Sequence, residues 1–211
     1  MAQPLVQPTG NAGELYIPAL GQTIKLVEWR EDDFYDSVQQ AAGLVTAGTS
    51  LEVFRDLTNK NLQHTNLKTQ RRIPAGSQFI MNRIGVLIAQ SAGSILCTAK
   101  DILRVAYSAS LTFKINDRLV SEGPIVKYQS GLGITGGSTE NAVSAMTTGV
   151  ASAAAAPNLL VSQPVMDDDD LQATIDFKSN TWLATTALPT LDVAPVFTTM
   201  LHGFIKKPTG K

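Results

Sequence analysis

LTFKINDRLVSEGPIVKYQSGLGITGG, residues 111–137, is the segment from which the architecture of the chain is inferred. Its first six residues alternate between apolar and polar side chains, and this two-residue period predicts a strand with one apolar face. Asn116-Asp117 favours a tight turn, and residues 118–128 then predict a second strand. Gly123-Pro124 interrupts this second strand, because proline donates no ladder hydrogen bond and suits a sheet edge or a bulge. The stretch therefore predicts a hairpin in an antiparallel β-domain.

A second apolar segment, QFIMNRIGVLIAQ, spans residues 78–90. Simple alternation places Ile80, Ile84, Val86 and Ile88 on one face and Phe79, Met81 and Leu87 on the other. Apolar residues on both faces predict a strand that is covered on both sides, either inside a sandwich or at a subunit contact.

Other segments complete a mainly β pattern. Short strands are predicted within 14–29 and at 51–54, 159–165, 171–178 and 196–205. Two short helices are predicted in connections, one over 31–42 and one from Thr98 to about Ser108. In the first, Asp32 and Asp33 suit a helix start, and Phe34, Val38 and Ala41 fall on one side. About eight strands with two helices favour an antiparallel β-sandwich, a single jelly roll.

The predicted domain organisation is simple. Residues 1–13, rich in proline and glycine, predict an extended N-terminal arm. Residues 14–205 predict one β-sandwich domain, which includes a flexible Gly/Ala/Ser/Thr loop near 131–157. Residues 206–211 predict a polar C-terminal tail.

Composition narrows the classes of function. The 211 residues are 44% hydrophobic and only 17% charged, with a formal net charge of -1, so neighbouring molecules are expected to cover part of the surface. The first 29 residues contain one cation, Lys25, and specific nucleic-acid binding is not expected. Cys97 is the only cysteine, which excludes an intrachain disulfide. No signal peptide is visible at the N-terminus, and nothing indicates a membrane contact.

Two conspicuous motifs favour structural interpretations. Asp167, Asp168, Asp169 and Asp170 are consecutive, whereas calcium loops space their carboxylates at alternate positions, so we interpret the run as a solvated corner rather than a cation site. The glycine cluster GLGITGG at 131–137 lacks the lysine of a P-loop, and backbone flexibility or close approach of a neighbouring chain explains it better.

The remaining candidates also favour structural roles. His64 and His202 are the only histidines, and no GxSxG elbow accompanies them, so both are interpreted as structural. The basic spots, which lack interleaved aromatic residues, are interpreted as solvated rims or inter-subunit ion pairs; they contain Lys68, Arg71 and Arg72, and Lys206, Lys207 and Lys211. Cys97 is interpreted as a small buried residue. No catalytic residue, metal site or cofactor is predicted.

The order of elements over residues 73–205 resembles that of jelly-roll structural proteins of icosahedral bacteriophages. A strand entered through Pro-Ala-Gly in RRIPAGSQFIMNRIGVLIAQ is followed by a helix, the hairpin, a glycine-rich loop and a strand-rich C-terminal third. This resemblance implies a virion shell protein, made in the host cytoplasm, that self-assembles into capsomers and has no enzymatic activity. Capsid proteins of small single-stranded RNA viruses carry a basic arm, and this sequence does not. That difference would fit a genome whose charge is neutralised by other proteins, a membrane or counterions.

Three hypotheses about function remain. The first is a phage capsid protein whose partners are copies of itself and other virion structural proteins. The second is a decoration, vertex or tail protein of the virion, which would have the same composition. The third is a carbohydrate-binding or hydrolytic β-sandwich, which would need exposed aromatic residues near its loops, yet only 6% of residues are aromatic.

Overall fold

The computed structural model describes residues 7–9, 13–17, 21–46, 48–90, 99–128, 158–177, 190–192 and 194–206. These residues are mainly in strands, with a single α-helix among them, α1 (Ala99–Ser108), and two 3-10 helices, Leu26–Glu28 and Ile125–Tyr128. The strands in chain order are β1 (Gln7–Pro8), β2 (Glu14–Ile17), β3 (Gln22–Lys25), β4 (Trp29–Gln39), β5 (Gly43–Leu44), β6 (Ser50–Val53), β7 (Gln78–Gln90), β8 (Ala109–Ile115), β9 (Arg118–Pro124), β10 (Asn158–Met166), β11 (Leu171–Phe177), β12 (Thr190–Leu191) and β13 (Pro195–Lys206).

Two four-stranded antiparallel sheets form the body. Sheet I has the order β10–β7–β13–β4, and sheet II has the order β6–β11–β8–β9. The alternate side chains of β8 and β11 that point inward are all buried, as the two-residue period predicts. Two small sheets, β1–β2–β3 and β12–β5, accompany them.

The core lies between the two sheets, as in a β-sandwich. Phe177 of sheet II meets Phe197 of sheet I edge to face, with ring centroids 6.1 Å apart, an arrangement that aromatic pairs prefer. The same buried cluster includes Phe34, Phe79, Val86, Leu111, Phe113 and Leu201. The predicted mainly β, antiparallel architecture is therefore confirmed.

The hairpin predicted within residues 111–137 is confirmed as far as Pro124, whereas Ile125–Tyr128, predicted as the end of the second strand, form a 3-10 helix. Asn116 and Asp117 both have positive φ, 50° and 62°, as the two central residues of a type I′ turn require. β9 is an edge strand of sheet II and ends at Pro124, where a missing ladder donor does no harm.

The strand predicted at 78–90 is present, but its faces are divided differently. Arg83 pairs with His202 and Met81 pairs with Gly203, so Asn82 is an extra residue that shifts the register. This bulge reverses the alternation. Phe79 and Met81 therefore face the same core as Ile84, Val86 and Ile88, and Ile80 packs outside it with Ile24 and Trp29. The predicted grouping of Ile80 with Ile84 is wrong.

The helix predicted over residues 31–42 is also wrong. Those residues belong mostly to β4, which pairs with β13 along its whole length, from Trp29↔Lys206 to Gln39↔Val196. The reason lies in the spacing. Phe34 and Val38 are four residues apart, and such residues share a face in a strand as well as in a helix, so pairing with β13 decides between the two. The other predicted helix is confirmed as α1, beginning at Ala99.

The predicted N-terminal arm, the predicted loop and the predicted C-terminal tail are described only in part. Within the predicted N-terminal arm, Gln7 and Pro8 pair with Tyr16 and Leu15 and so extend the small β1–β2–β3 sheet. The predicted loop near 131–157 and residues 207–211 of the predicted tail lie outside the described residues. Among the residues that are described, no helix has the length and apolar character to cross a membrane.

Candidate functional site

The four consecutive aspartates form a structural corner between β10 and β11. Asp169 Oδ2 accepts the Met166 N–H at 2.7 Å, and Asp167 Oδ2 accepts the Gly76 N–H at 2.6 Å. The Asp170 N–H donates to Asn116 Oδ1 at 2.8 Å, which ties the corner to the hairpin turn. Of the four aspartates, only Asp168 is exposed. The predicted solvated corner is thus a half-buried network in which most of the carboxylates accept hydrogen bonds from other parts of the protein.

Arg71 connects this corner to β6. Its guanidinium lies 3.3 Å from Glu52 Oε2 and 3.6 Å from Asp170 Oδ2. The pKa of Glu52 is held below its usual value, mainly by the hydrogen bond from Arg55 and further by the charges of Arg55 and Arg71. In the predicted basic spot, Lys68 and Arg72 are exposed, whereas Arg71 is half-buried and forms ion pairs with Glu52 and Asp170.

His202 lies on the outer face of sheet I. Its ring is buried, and Nδ1 is 2.8 Å from Asp33 Oδ1. Because an ionised carboxylate only accepts, Nδ1 carries the proton, and the buried Nε2 has no hydrogen-bond partner in the described part of the chain. Arg83 of β7 is next to His202 in register.

His64 belongs to a different surface from His202. It lines a cavity of about 540 Å³ between the edges of β4 and β6, together with Val38, Leu51, Lys60 and Val196. Across the described ranges, no group of three or more His, Cys, Asp or Glu side chains is arranged to hold a metal ion. The two imidazoles therefore do not combine into one site.

A buried ion pair joins the two sheets beside this cavity, and it was not expected from the sequence. Asp36 is fully buried, and its two oxygens lie 2.8 and 2.9 Å from Lys60 Nζ. Asp36 Oδ2 also accepts the Phe54 N–H at 2.7 Å. Phe54 follows β6 with a φ of 66°. The carboxylate of an edge strand in sheet I thus fixes the end of the edge strand in sheet II.

A groove of about 580 Å³ occupies the outer face of sheet I. Leu87, Met200 and Thr198 form its floor, and the loop residues Leu62 and Asn66 form one wall, with Glu31, Asp32, Asp33, Tyr35 and Gln63 completing the lining. Leu62 is 77% exposed. The groove therefore offers apolar surface with an acidic margin.

Other large apolar side chains are also exposed. They lie on several sides of the molecule and include Val27, Leu44, Tyr107, Leu119 and Val161. Scattered exposed apolar residues are ordinary, whereas the groove places the exposed Leu62 beside the half-buried Leu87 and Met200.

The remaining sequence candidates divide into two groups. Lys206 pairs with Glu28 at 2.6 Å, and its hydrogen bond and charge lower the pKa of Glu28. Cys97, the glycine cluster at 131–137, Lys207 and Lys211 lie outside the described residues.

Comparison of the chain with models of known protein families gives no match, and comparison with curated protein sequences gives none either.

Proposed function

We propose that this chain is a virion structural protein of a bacteriophage, in the first place a capsid protein that assembles with copies of itself and has no catalytic role. The order of the strands carries the proposal. Following the chain through the two large sheets, β4 lies in sheet I, β6 in II, β7 in I, β8 and β9 in II, β10 in I, β11 in II and β13 in I.

This alternation supports a single jelly roll of eight strands. A jelly roll folds two Greek keys into a pair of four-stranded sheets, and the chain crosses repeatedly between them. The orders β10–β7–β13–β4 and β6–β11–β8–β9 have this character. Viral capsid proteins use the fold, as do lectins and cupins. The fold is therefore compatible with a capsid function but does not by itself distinguish it from the other functions.

The surface favours tiling over the other uses of the fold. The groove on sheet I combines the half-buried Leu87 and Met200 with the exposed Leu62. Apolar surface of this kind is typical of contacts between proteins. The conspicuous charged groups, by contrast, are engaged within the fold at Asp36, Asp167, Asp169 and Arg71.

The experiment is an assembly assay with matched variants. Light scattering after size exclusion, over a concentration series, should show multimers, and electron microscopy should show closed shells or rings. Leu62→Asp should weaken assembly, because it places a charge in the apolar groove, whereas Gln70→Asp adds the same charge at an exposed position that does not line the groove and should not. Both variants should retain the wild-type urea midpoint.

Three results would redirect the proposal. A chain that remains monomeric at high concentration contradicts self-assembly. A monomer that binds a defined glycan on an array favours the carbohydrate-binding alternative. Few copies per particle would favour a decoration, vertex or tail protein.

A further inference from the structure

Exposed apolar side chains lie close together where β9 and β10 form one margin of the sandwich. β9 is the last strand of sheet II, and β10 is the last strand of sheet I. Leu119 of β9 and Val161 of β10 are 54% and 61% exposed. Hydrogen bonds connect their neighbourhoods, because Arg118 donates to Gln163 Oε1 at 2.7 Å and Gln163 Nε2 donates to Val161 O at 3.0 Å. This margin therefore carries an apolar patch that bridges the two sheets.

The 3-10 helix Ile125–Tyr128 extends the patch. Val126 in this helix is 40% exposed. The helix is held against β9 by Lys127, whose Nζ donates to the Glu122 carbonyl oxygen at 3.4 Å. The β9–β10 patch is defined here as Leu119, Val126 and Val161 together with the adjacent cations Arg118 and Lys127.

The charged groups give the patch a positive character. The hydrogen-bond partners of Arg118 and Lys127 are an amide and a carbonyl oxygen, so neither cation is neutralised by a described carboxylate. Asp117, at the turn, accepts a side-chain amide of β11 at 3.0 Å. Glu122 is then the one carboxylate of residues 118–128, against two cations.

The groove on the outer face of sheet I has the opposite character. None of the described residues that line it is a lysine or an arginine. Arg30 pairs with Asp32 at 2.7 Å, whereas Asp33 is bound to the imidazole of His202 and Glu31 is exposed without an ion pair among the described residues. The apolar floor of the groove therefore has a negatively charged border.

The wall of the groove is fixed to β4 by the fold itself. The Tyr35 hydroxyl donates to the Leu62 carbonyl oxygen. Asn66 Nδ2 donates to the Asp33 carbonyl oxygen at 2.6 Å, and Asn66 Oδ1 accepts the Tyr35 N–H at 3.0 Å. Because these bonds hold the wall in place, a partner that enters the groove does not have to order it.

The groove and the patch belong to opposite margins of the sandwich. The groove is lined by residues of β4, β13 and β7 and of the loop beside β4, and β4 is at the other end of sheet I from β10. The two surfaces of one molecule therefore cannot meet, but those of two copies can. Such a contact between different surfaces of identical chains is heterologous, and it repeats from copy to copy until a ring closes.

We propose that the β9–β10 patch of one copy docks into the groove on sheet I of the next copy. Leu119 packs against the apolar floor, and Arg118 lies at the acidic border beside Glu31. This contact is a specific form of the self-assembly proposed above and rests on it. An apolar centre with a charged rim is the usual anatomy of a protein interface, and the opposite charges favour this pair of surfaces over patch against patch or groove against groove.

Two blocking variants test the contact. Leu119→Asp puts an anion in the surface that meets the acidic groove, and Leu62→Lys puts a cation in the surface that meets the basic patch. Each variant alone should assemble with a dissociation constant raised at least about tenfold. An equimolar mixture keeps one intact pair of surfaces, so sedimentation velocity should show a dimer of one chain of each kind and nothing larger.

Leu44 supplies the matched control. It is 68% exposed on β5 and belongs to neither surface. Leu44→Asp and Leu44→Lys should therefore assemble as the wild type does, and all four variants should keep the wild-type urea midpoint. Blocking variants that assemble like the wild type, or a mixture that remains as monomeric as its components, would overturn the proposal.

A charge exchange gives a second measurement that leaves both leucines in place. Arg118 and Glu31 are exposed, so neither change disturbs the core. Arg118→Glu or Glu31→Lys alone should weaken assembly about fivefold. A chain carrying both changes should return to within about twofold of the wild type, because each contact regains opposite charges. Losses that simply add in the double variant would contradict the docking.

The two proposals can fail separately. If the wild type forms shells and both blocking variants do so equally well, the contact between patch and groove is refuted and self-assembly stands. If the mixture forms the expected dimer but the wild type forms only open chains, the contact stands and the shell function is refuted.

Discussion

Replacing Asp36 with asparagine is expected to lower the free energy of unfolding by about 3 kcal/mol. The carboxylate is fully buried, and it holds Lys60 Nζ through both oxygens and the Phe54 N–H through one of them. Asparagine has nearly the same shape but lacks the charge. The substitution therefore tests the electrostatic role of Asp36 rather than its packing.

The magnitude follows from the environment of the two partners. Removing one member of a buried ion pair typically costs about 3–5 kcal/mol, because the other charge stays behind uncompensated. Lys60 retains 17% of its side-chain exposure, so water can relieve part of that penalty. The asparagine oxygen can still accept the Phe54 N–H. Both considerations place the expected value at the lower end of the range.

A double-mutant cycle under urea denaturation measures the pair. Lys60→Met alone should also destabilise, since it leaves the buried Asp36 carboxylate without its cation. The double variant should lose about 2 kcal/mol less stability than the sum of the losses of the two single variants. Asp168→Asn, at the exposed position of the aspartate corner, is the control and should change stability by less than about 0.5 kcal/mol. Additivity of the two single changes within about 0.3 kcal/mol would refute the coupling.

Two further predictions concern a close backbone approach and a surface carboxylate. Gly203→Ala should lower the free energy of unfolding by about 2 kcal/mol or more, because the new Cβ would overlap the Ile80 carbonyl oxygen. At Gly123 the new Cβ would press only on the flexible Lys127 side chain and would lie at ordinary contact distance from Tyr128, so Gly123→Ala should be nearly neutral. Equal urea midpoints for the two variants would contradict this. Glu52 has a lowered pKa in the folded state, so its contribution is present above its unfolded pKa and is lost as the pH falls through the folded value. Glu52→Gln should therefore cost a few tenths of a kcal/mol at pH 7 and nothing at the acid end of a urea titration series, and a loss that is independent of pH would show that packing, not charge, is responsible.

The hairpin could be predicted from the sequence because every signal in it is local. Leu111, Phe113 and Ile115 alternate with polar residues, and the turn follows directly at Asn116-Asp117, both of which adopt the positive φ that the turn demands. α1 could be predicted for the same reason, because Thr98 precedes the apolar residues that begin at Ile102 in the sequence.

β7 shows where local reasoning ends. The residue composition of 78–90 predicts a buried strand, and β7 is one. Which side chains face the core depends on the bulge at Asn82, and that bulge arises from the register with β13, more than a hundred residues away in the chain. Alternation read from one strand cannot detect a residue that its partner leaves unpaired.

The charged residues also show the difference between what local sequence predicts and what depends on distant contacts. The run at 167–170 draws attention in the sequence, but its members accept donors from distant residues such as Gly76 and Asn116, which no spacing rule predicts. Asp36 stands alone and is far more buried. It lies midway between Phe34 and Val38, so once 31–42 is interpreted as a strand, the two-residue period directs its carboxylate inward. A carboxylate directed into a core needs a cation and a backbone donor, and Lys60 and Phe54 supply them. The assignment of residues 31–42 to a strand and the expectation of a buried ion pair at Asp36 therefore depend on each other. A helix prediction for this segment hides the ion pair, and a strand prediction requires one.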